Sequence, residues 1–209
     1  MIGSNRFCHF GGWSDPEWIS AAAVSRSAQP PGEGHSRWVV RPAQAEDFDA
    51  WEELFGGYCD FYARPSTPEH RRLVWSWIEA GTIHCLLAVP AAVTAEPEPE
   101  TVARPEATAA AATDGDSAAA GHPVGLAHVR PVLSPLRGAT VGFLDDLFVA
   151  PAARGTGAFE CLMAAIRDLG AAEGWPQVRW ITAADNSRAH SAYDRVATKT
   201  DWVTYQLDV

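Results

Sequence analysis

Two short stretches of this chain bring reactive residue types together. The run Leu144-Asp145-Asp146-Leu147-Phe148-Val149 sets two adjacent carboxylates inside an apolar, strand-like segment. Shortly after it, Arg154-Gly155-Thr156-Gly157 forms a basic glycine loop ahead of a helical pattern. Carboxylates in apolar surroundings suit proton abstraction or the binding of a cation. A glycine loop that opens a helix suits an anion, because the helix start offers unpaired N–H groups and the positive dipole end. Arg154 adds charge there, and the glycines let the backbone come close. The loop lacks the Lys-Ser/Thr ending of a Walker loop, and the third glycine of a dinucleotide fingerprint would fall at Glu160.

These residues need elements to position them. Arg37–Arg41 reads as a short strand closed by Pro42. Phe48, Trp51, Leu54, Phe55 and Tyr58 recur at spacings of three and four and predict a helix over 45–62, with Glu46, Asp47 and Asp49 at its positive end. Gly56-Gly57 predicts a bend or an early end. Thr67-Pro68 predicts the start of a second helix that buries Leu73, Val74, Trp77 and Ile78 and stops at Gly81. Strands are expected at 82–89, 124–133 and 140–149, then a helix over 155–173 with Phe159, Leu162, Met163, Ile166 and Leu169 on one face. A strand at 178–182, a helix to Val196 and a strand over Trp202–Leu207 complete the order β-α-α-β-β-β-α-β-α-β. That order implies an α/β (α+β) fold, a mixed sheet with helices on both faces.

Composition bounds the rest. The chain has 209 residues and a net charge of −10, and residues 90–122 hold six of the acids and one base. That Ala/Pro/Glu segment cannot bury enough apolar surface to offset its ordering entropy and reads as a low-complexity insert between two paired strands. Residues 1–36 end in a Pro/Gly breaker run and read as a poorly ordered N-terminal extension, which leaves 37–209 as the domain. No Lys/Arg cluster with interleaved aromatics speaks for nucleic acid. No run approaches the roughly 18 apolar residues of a membrane span, and the N-terminus lacks a signal peptide's apolar core. The four cysteines show no metal spacing and read as reduced thiols of a cytoplasmic protein. No metal is expected.

The run from Val149 to Gly157 resembles the pyrophosphate loop of the GCN5-related N-acetyltransferases, Arg/Gln-x-x-Gly-x-Gly/Ala. Asp185-Asn186 followed by Ala189 and Tyr193 resembles the family's second signature, and one helix and one strand separate the two, as in the family. The resemblance spans about residues 37–209 apart from the insert. It is nearest to the small histone, polyamine and D-amino-acid acetyltransferases, whose chains also carry Tyr-Asp-Arg-Val-Ala before an aromatic strand. It implies a mostly antiparallel central sheet, acetyl-CoA as cosubstrate, and direct acetyl transfer to a primary amine of a small molecule or peptide. Relatives are often homodimers.

By this resemblance, Leu147, Phe148 and Val149 at the strand end, the loop residues Arg154, Gly155, Thr156, Gly157, Ala158 and Phe159, and Asn186, Ala189 and Tyr193 would hold the cofactor. Tyr193 would stand near the sulfur as the acid for the leaving thiolate. Asp145 matches the position of the proposed base in polyamine acetyltransferases, and Asp146 would hold a cationic substrate or make a structural bond. Strand periodicity sets the two on opposite faces, so one of them is expected to point into the acceptor cleft. Tyr58, Tyr62 and Trp51 are candidate walls of that cleft. Phe159 stands in the family's final Gly/Ala slot, and two orientations are open: inward to the sheet, or toward the cofactor. The second would favour a non-catalytic acyl-CoA sensor. His84, His128 and His190 stand alone in sequence and read as structural. Cys161 has no neighbouring base, so no covalent acyl-enzyme is expected.

Overall fold

The computed structural model describes residues 37–91 and 121–209. The N-terminal extension and nearly all of the insert lie outside the described residues. The elements are β1 (Trp38–Pro42), α1 (Phe48–Phe61), α2 (Pro68–Glu79), β2 (His84–Pro90), β3 (Gly125–Ser134), β4 (Ala139–Val149), α3 (Ala158–Ala172), β5 (Val178–Arg179) and α4 (Ser187–Tyr193). One sheet runs in the order β1-β2-β3-β4-β5. The first four strands are antiparallel neighbours, and β5 lies parallel to β4.

Both faces of the sheet are covered, as the alternation of apolar residues requires. Leu86, Ala88, Ala127, Val129 and Leu144 pack with Leu162, Met163 and Ile166 of α3. Leu87, Val89, Leu126 and Phe148 pack with Trp51, Leu54, Phe55 and Cys59 of α1 and with Val74 and Trp75 of α2. Asp47 locks the entry to α1. Its carboxylate accepts two bonds from Arg41, at 2.6 and 2.7 Å, and one from the Gln44 N–H at 2.8 Å. The Arg41 bonds hold that carboxyl below its ordinary value.

Three expectations change. Helix α1 runs through Gly56-Gly57 to Phe61 instead of bending. A Cβ on Gly57 would stand 3.1 Å from the Phe148 ring, so the missing side chain serves close packing of helix on sheet. Helix α2 starts where expected, with the Thr67 hydroxyl accepting from the His70 N–H at 3.2 Å, but it buries Val74 and Trp75 while Leu73 and Trp77 are exposed. Trp75 is the anchor: its ring meets Phe48 at 5.4 Å and Trp51 at 5.0 Å. The last strand, Trp202–Leu207, does not form, and Trp202, Val203, Tyr205 and Leu207 are exposed. A strand requires a partner ladder, and β5 supplies only two residues of one.

The two ends of the insert meet. Ala91 donates to the Arg37 carbonyl at 2.9 Å, and a Cβ on Gly121 would stand 2.8 Å from the Pro90 ring. The insert therefore leaves and re-enters the sheet at one point, between the antiparallel pair β2 and β3.

Candidate active site

The site begins with a fault in the β3–β4 ladder. His128 pairs with Asp146, but the next residue, Val129, pairs with Leu144. Asp145 is the extra residue of a β-bulge. A bulge resets the alternation of side chains. Leu144 packs on the α3 side and Phe148 on the α1 side, and with the phase reset between them Asp145 and Asp146 line the same cleft. The expectation of opposite faces therefore fails, because it assumed an unbroken period of two. The cleft encloses about 780 Å³, and Tyr58, Tyr62, His70 and Trp77 form its walls. Trp51, expected as a wall, is fully buried behind it.

The two carboxylates have different surroundings. Asp145 accepts from Arg130 Nε at 2.8 Å. Burial pushes its carboxyl upward, against the pull of Arg130. Asp146 Oδ2 lies 2.8 Å from His128 Nδ1, and Trp51 donates from Nε1 to His128 Nε2 at 2.8 Å. His128 is only 1% exposed. Burial, and after it the neighbouring Asp146, push the Tyr58 phenol upward. His128 is thus no solitary histidine. Its partners lie on α1 and β4, and nothing in its sequence neighbourhood reveals them; only the strand register does.

Beyond Val149 the chain turns through Pro151–Ala153 into the glycine loop. Gly155 and Gly157 have φ of 75° and 95°, the left-handed region that glycine enters at no steric cost. A Cβ on either would meet nothing within 4 Å, so the loop's outer side is open to an approaching group. Helix α3 follows directly, with Gly157 as its cap, and Ala158 is packed in the core. The first N–H groups of that helix have no carbonyl within it to bond. Trp38 pins the loop by donating from Nε1 to Thr156 Oγ1 at 2.8 Å, and the Thr156 hydroxyl donates to the Ala153 carbonyl at 2.6 Å. The Thr156 side chain is therefore spent within the loop, which leaves any ligand to the backbone. Arg154 folds back, donating to the Val149 carbonyl at 3.0 Å with its guanidinium 5.8 Å from the Phe148 ring. Glu160, the acid beside the loop, pairs with Arg195 at 3.0 Å.

Strands β4 and β5 touch only at Gly142 and Phe143, then diverge. Among the described residues, the edge of Leu147, Phe148 and Val149 that faces away from β3 has no strand beside it. Across that gap Trp180 leads on to α4, where Tyr193 lies 5.1 Å from the Trp180 ring and 5.9 Å from Phe159. Of its two open orientations, Phe159 takes the inward one, half-buried against Tyr193 and the core on the α3 side. Burial pushes the Tyr193 phenol up to about 12, so at neutral pH it is a proton donor. Asn186 caps α4 by accepting from the Ala189 N–H at 3.1 Å. Thr182, in the segment between β5 and α4, has a buried hydroxyl with no partner. An open glycine loop at a helix start, a strand edge unpaired among the described residues and an orphaned hydroxyl suit an elongated ligand with phosphates at one end. Among the described residues no group of His, Cys, Asp and Glu could hold a metal ion.

The model of the Acetyltransferase (GNAT) family matches residues 48–197. The D-amino-acid N-acetyltransferase HPA3 of Saccharomyces cerevisiae is 27% identical over 172 residues, which cover 82% of this chain and 91% of that one. The crystal structure of a probable acetyltransferase aligns at a TM-score of 0.61 and 22% identity, over 81% of this chain and 97% of that one. A structure of AAC(6')-Iy in complex with the bisubstrate analogue CoA-S-monomethyl-acetylneamine aligns at 0.60 and 16% identity, over 83% of this chain and 99% of that one. The structural likenesses concern the fold.

Proposed function

Because this chain belongs to the GNAT acetyltransferase family and carries out acetyl transfer to an amine, we propose that its donor is acetyl-CoA and its acceptor a small cationic primary amine or a peptide. Polyamines and amino acids are the acceptors in view. One observation carries the reading: β4 presents two carboxylates to a cleft on one side and ends at an open anion cradle on the other. The likeness to AAC(6')-Iy, seen with a CoA-containing analogue, supports the same donor.

Each proposed role follows from what the reaction needs. The pyrophosphate is held by the loop from Arg154 to Phe159, through the N–H groups of Gly155, Gly157, Ala158 and Phe159 more than through side chains. The pantetheine chain lies in the gap between the Leu147–Val149 edge and the segment leading to Asn186 and Ala189. The cofactor supplies an activated acetyl group. The Val149 N–H, on the edge turned away from β3, polarises its carbonyl. The amine arrives protonated, and Asp146 anchors the ammonium. Asp145 then takes the proton, through a water, because burial raises the basicity of its carboxylate. Tyr193 gives its proton to the departing thiolate. Tyr58 and Tyr62 wall the acceptor. Transfer is direct, from the donor to the amine held in the same cleft.

Two further points belong to the reading. The protein works in the cytoplasm, and Cys59 and Cys85 are buried thiols. Among the described residues no helix is long and apolar enough to cross a membrane. The protein also pairs with a second copy of itself. Val203, Tyr205, Leu207 and Val209 alternate with polar neighbours and are exposed, while β5 is the last strand of the sheet among the described residues. A strand from another copy would cover both.

Thiol release from acetyl-CoA across polyamines, D- and L-amino acids and peptides tests the function. Release with cationic amines is expected. Absence of both release and acetyl-CoA binding at millimolar ligand would overturn the proposal.

A further inference from the structure

Behind Asp146 stands a histidine that the reaction itself does not touch. An indole N–H can only donate. Trp51 Nε1 lies 2.8 Å from His128 Nε2, so that nitrogen must accept and carries no proton. The ring proton then sits on Nδ1, 2.8 Å from Asp146 Oδ2, and is donated to the carboxylate. A doubly protonated ring would set N–H against N–H. The order of the bonds therefore runs one way, Trp51 to His128 to Asp146, from the core toward the cleft.

We propose that Trp51 and His128 are positioning residues for the acceptor: they lock His128 as the neutral Nδ1–H imidazole and hold Asp146 as a fixed, uncompensated carboxylate that anchors a substrate ammonium. This rests on the role given above to Asp146. The neutral state is the point. An imidazolium in the same place would cancel the charge of Asp146 and remove its attraction for a cation. The indole prevents this by occupying the nitrogen that would take the second proton. Asp146 Oδ2 is used by the histidine, and a carboxylate has further lone pairs to offer the cleft.

The other ionisable groups around the pair leave that charge in place. Tyr58 and Cys59 on α1 and Cys85 on β2 are kept neutral by burial. Arg130 on β3 is taken by Asp145 on β4. His70 on α2 and Arg64 in the segment after α1 are exposed at the cleft wall, and the ion pair of Asp146 is with neither of them but with His128. The residue closest to neutralising Asp146 is His128 itself, and it is the one the indole holds neutral.

Two measurements test this. Long-range proton–nitrogen NMR of the full-length protein near pH 7 should show His128 in the Nδ1–H form; the Nε2–H tautomer or an imidazolium would overturn the proposal without any substrate. Trp51→Phe frees Nε2 to take a proton. Its KM for a diamine should rise about tenfold, the scale of one charge-assisted bond, with kcat changed little. Its kcat/KM profile should gain a histidine-range ionisation that the wild type lacks, with activity lost on the acid side. His128→Asn keeps an N–H for Asp146 but has no ring to titrate, and should show no such ionisation. A Trp51→Phe profile that superimposes on the wild type would refute the proposal. Failure of the wild type to release thiol with any amine would sink the acetyl-transfer reading instead, leaving the tautomer result standing by itself.

Discussion

Replacing Arg130 by Gln should shift the pH dependence of the reaction toward alkaline pH. Asp145 must be ionised to take a proton. Burial raises its pKa, and the Arg130 guanidinium at 2.8 Å pulls it back down. Without Arg130 the raising influence of burial, the largest of those acting on Asp145, loses its main opponent. The size follows from the charge separation. Unit charges about 4 Å apart attract by about 1 kcal/mol in water and about 4 kcal/mol at an effective dielectric of 20. The Arg130 side chain is 43% exposed, so solvent screens the pair toward the lower figure. About 1 kcal/mol corresponds to about 0.7 pH unit. The assay is kcat/KM for a cationic amine across pH, with thiol release as readout. The acid limb should move up by about 0.7 unit while the plateau at high pH stays near the wild-type level. An acid limb that stays in place would show that Asp145 is not the ionisation that controls the rate. An acid limb that moves down would refute the electrostatic argument itself.

Other consequences follow from named contacts. Tyr193→Phe should lower turnover by about a hundredfold, the usual scale for losing a general acid, with acetyl-CoA affinity nearly kept by calorimetry. Asp47→Ala should cost about 2 kcal/mol of unfolding free energy at pH 7, since three hydrogen bonds end on that carboxylate. Because Arg41 lowers the folded-state pKa of Asp47, its contribution is full above the ordinary carboxylate range and fades as pH falls through the lowered value. The gap between variant and wild type in denaturant titrations should therefore close in acid. Replacing residues 92–120 by a short turn should leave the melting temperature within a few degrees, because Pro90 and Gly121 already touch. Truncation after Thr200 should convert a dimer into a monomer by light scattering.

Much of the frame was legible in order and type. Helix periodicity placed α1, α2 and α3, and the Thr67-Pro68 signal placed a boundary. The readings that failed did so where a neighbour, not the local chain, decided. Gly56-Gly57 looks like a helix breaker until Phe148 lies against it. Spacing sets Trp77 on the buried face of α2, yet Trp75 is the one that meets Phe48 and Trp51. The C-terminal run has strand chemistry and, among the described residues, no partner strand to realise it.

The same division holds at the site. The residue types and their spacing along the chain placed the glycine loop at a helix start, the adjacent carboxylates and the tyrosine on the last helix, because glycine at positive φ, helix starts and charge are local properties. The separate environments of Asp145 and Asp146 were decided by tertiary structure alone. A bulge opposite His128 sets both in one cleft, and the register of β3 on β4 with α1 packed above it joins Trp51, His128 and Asp146. Those three residues are far apart in the chain. Pairing across strands and packing across layers brings them together, and periodicity within one segment carries no information about either.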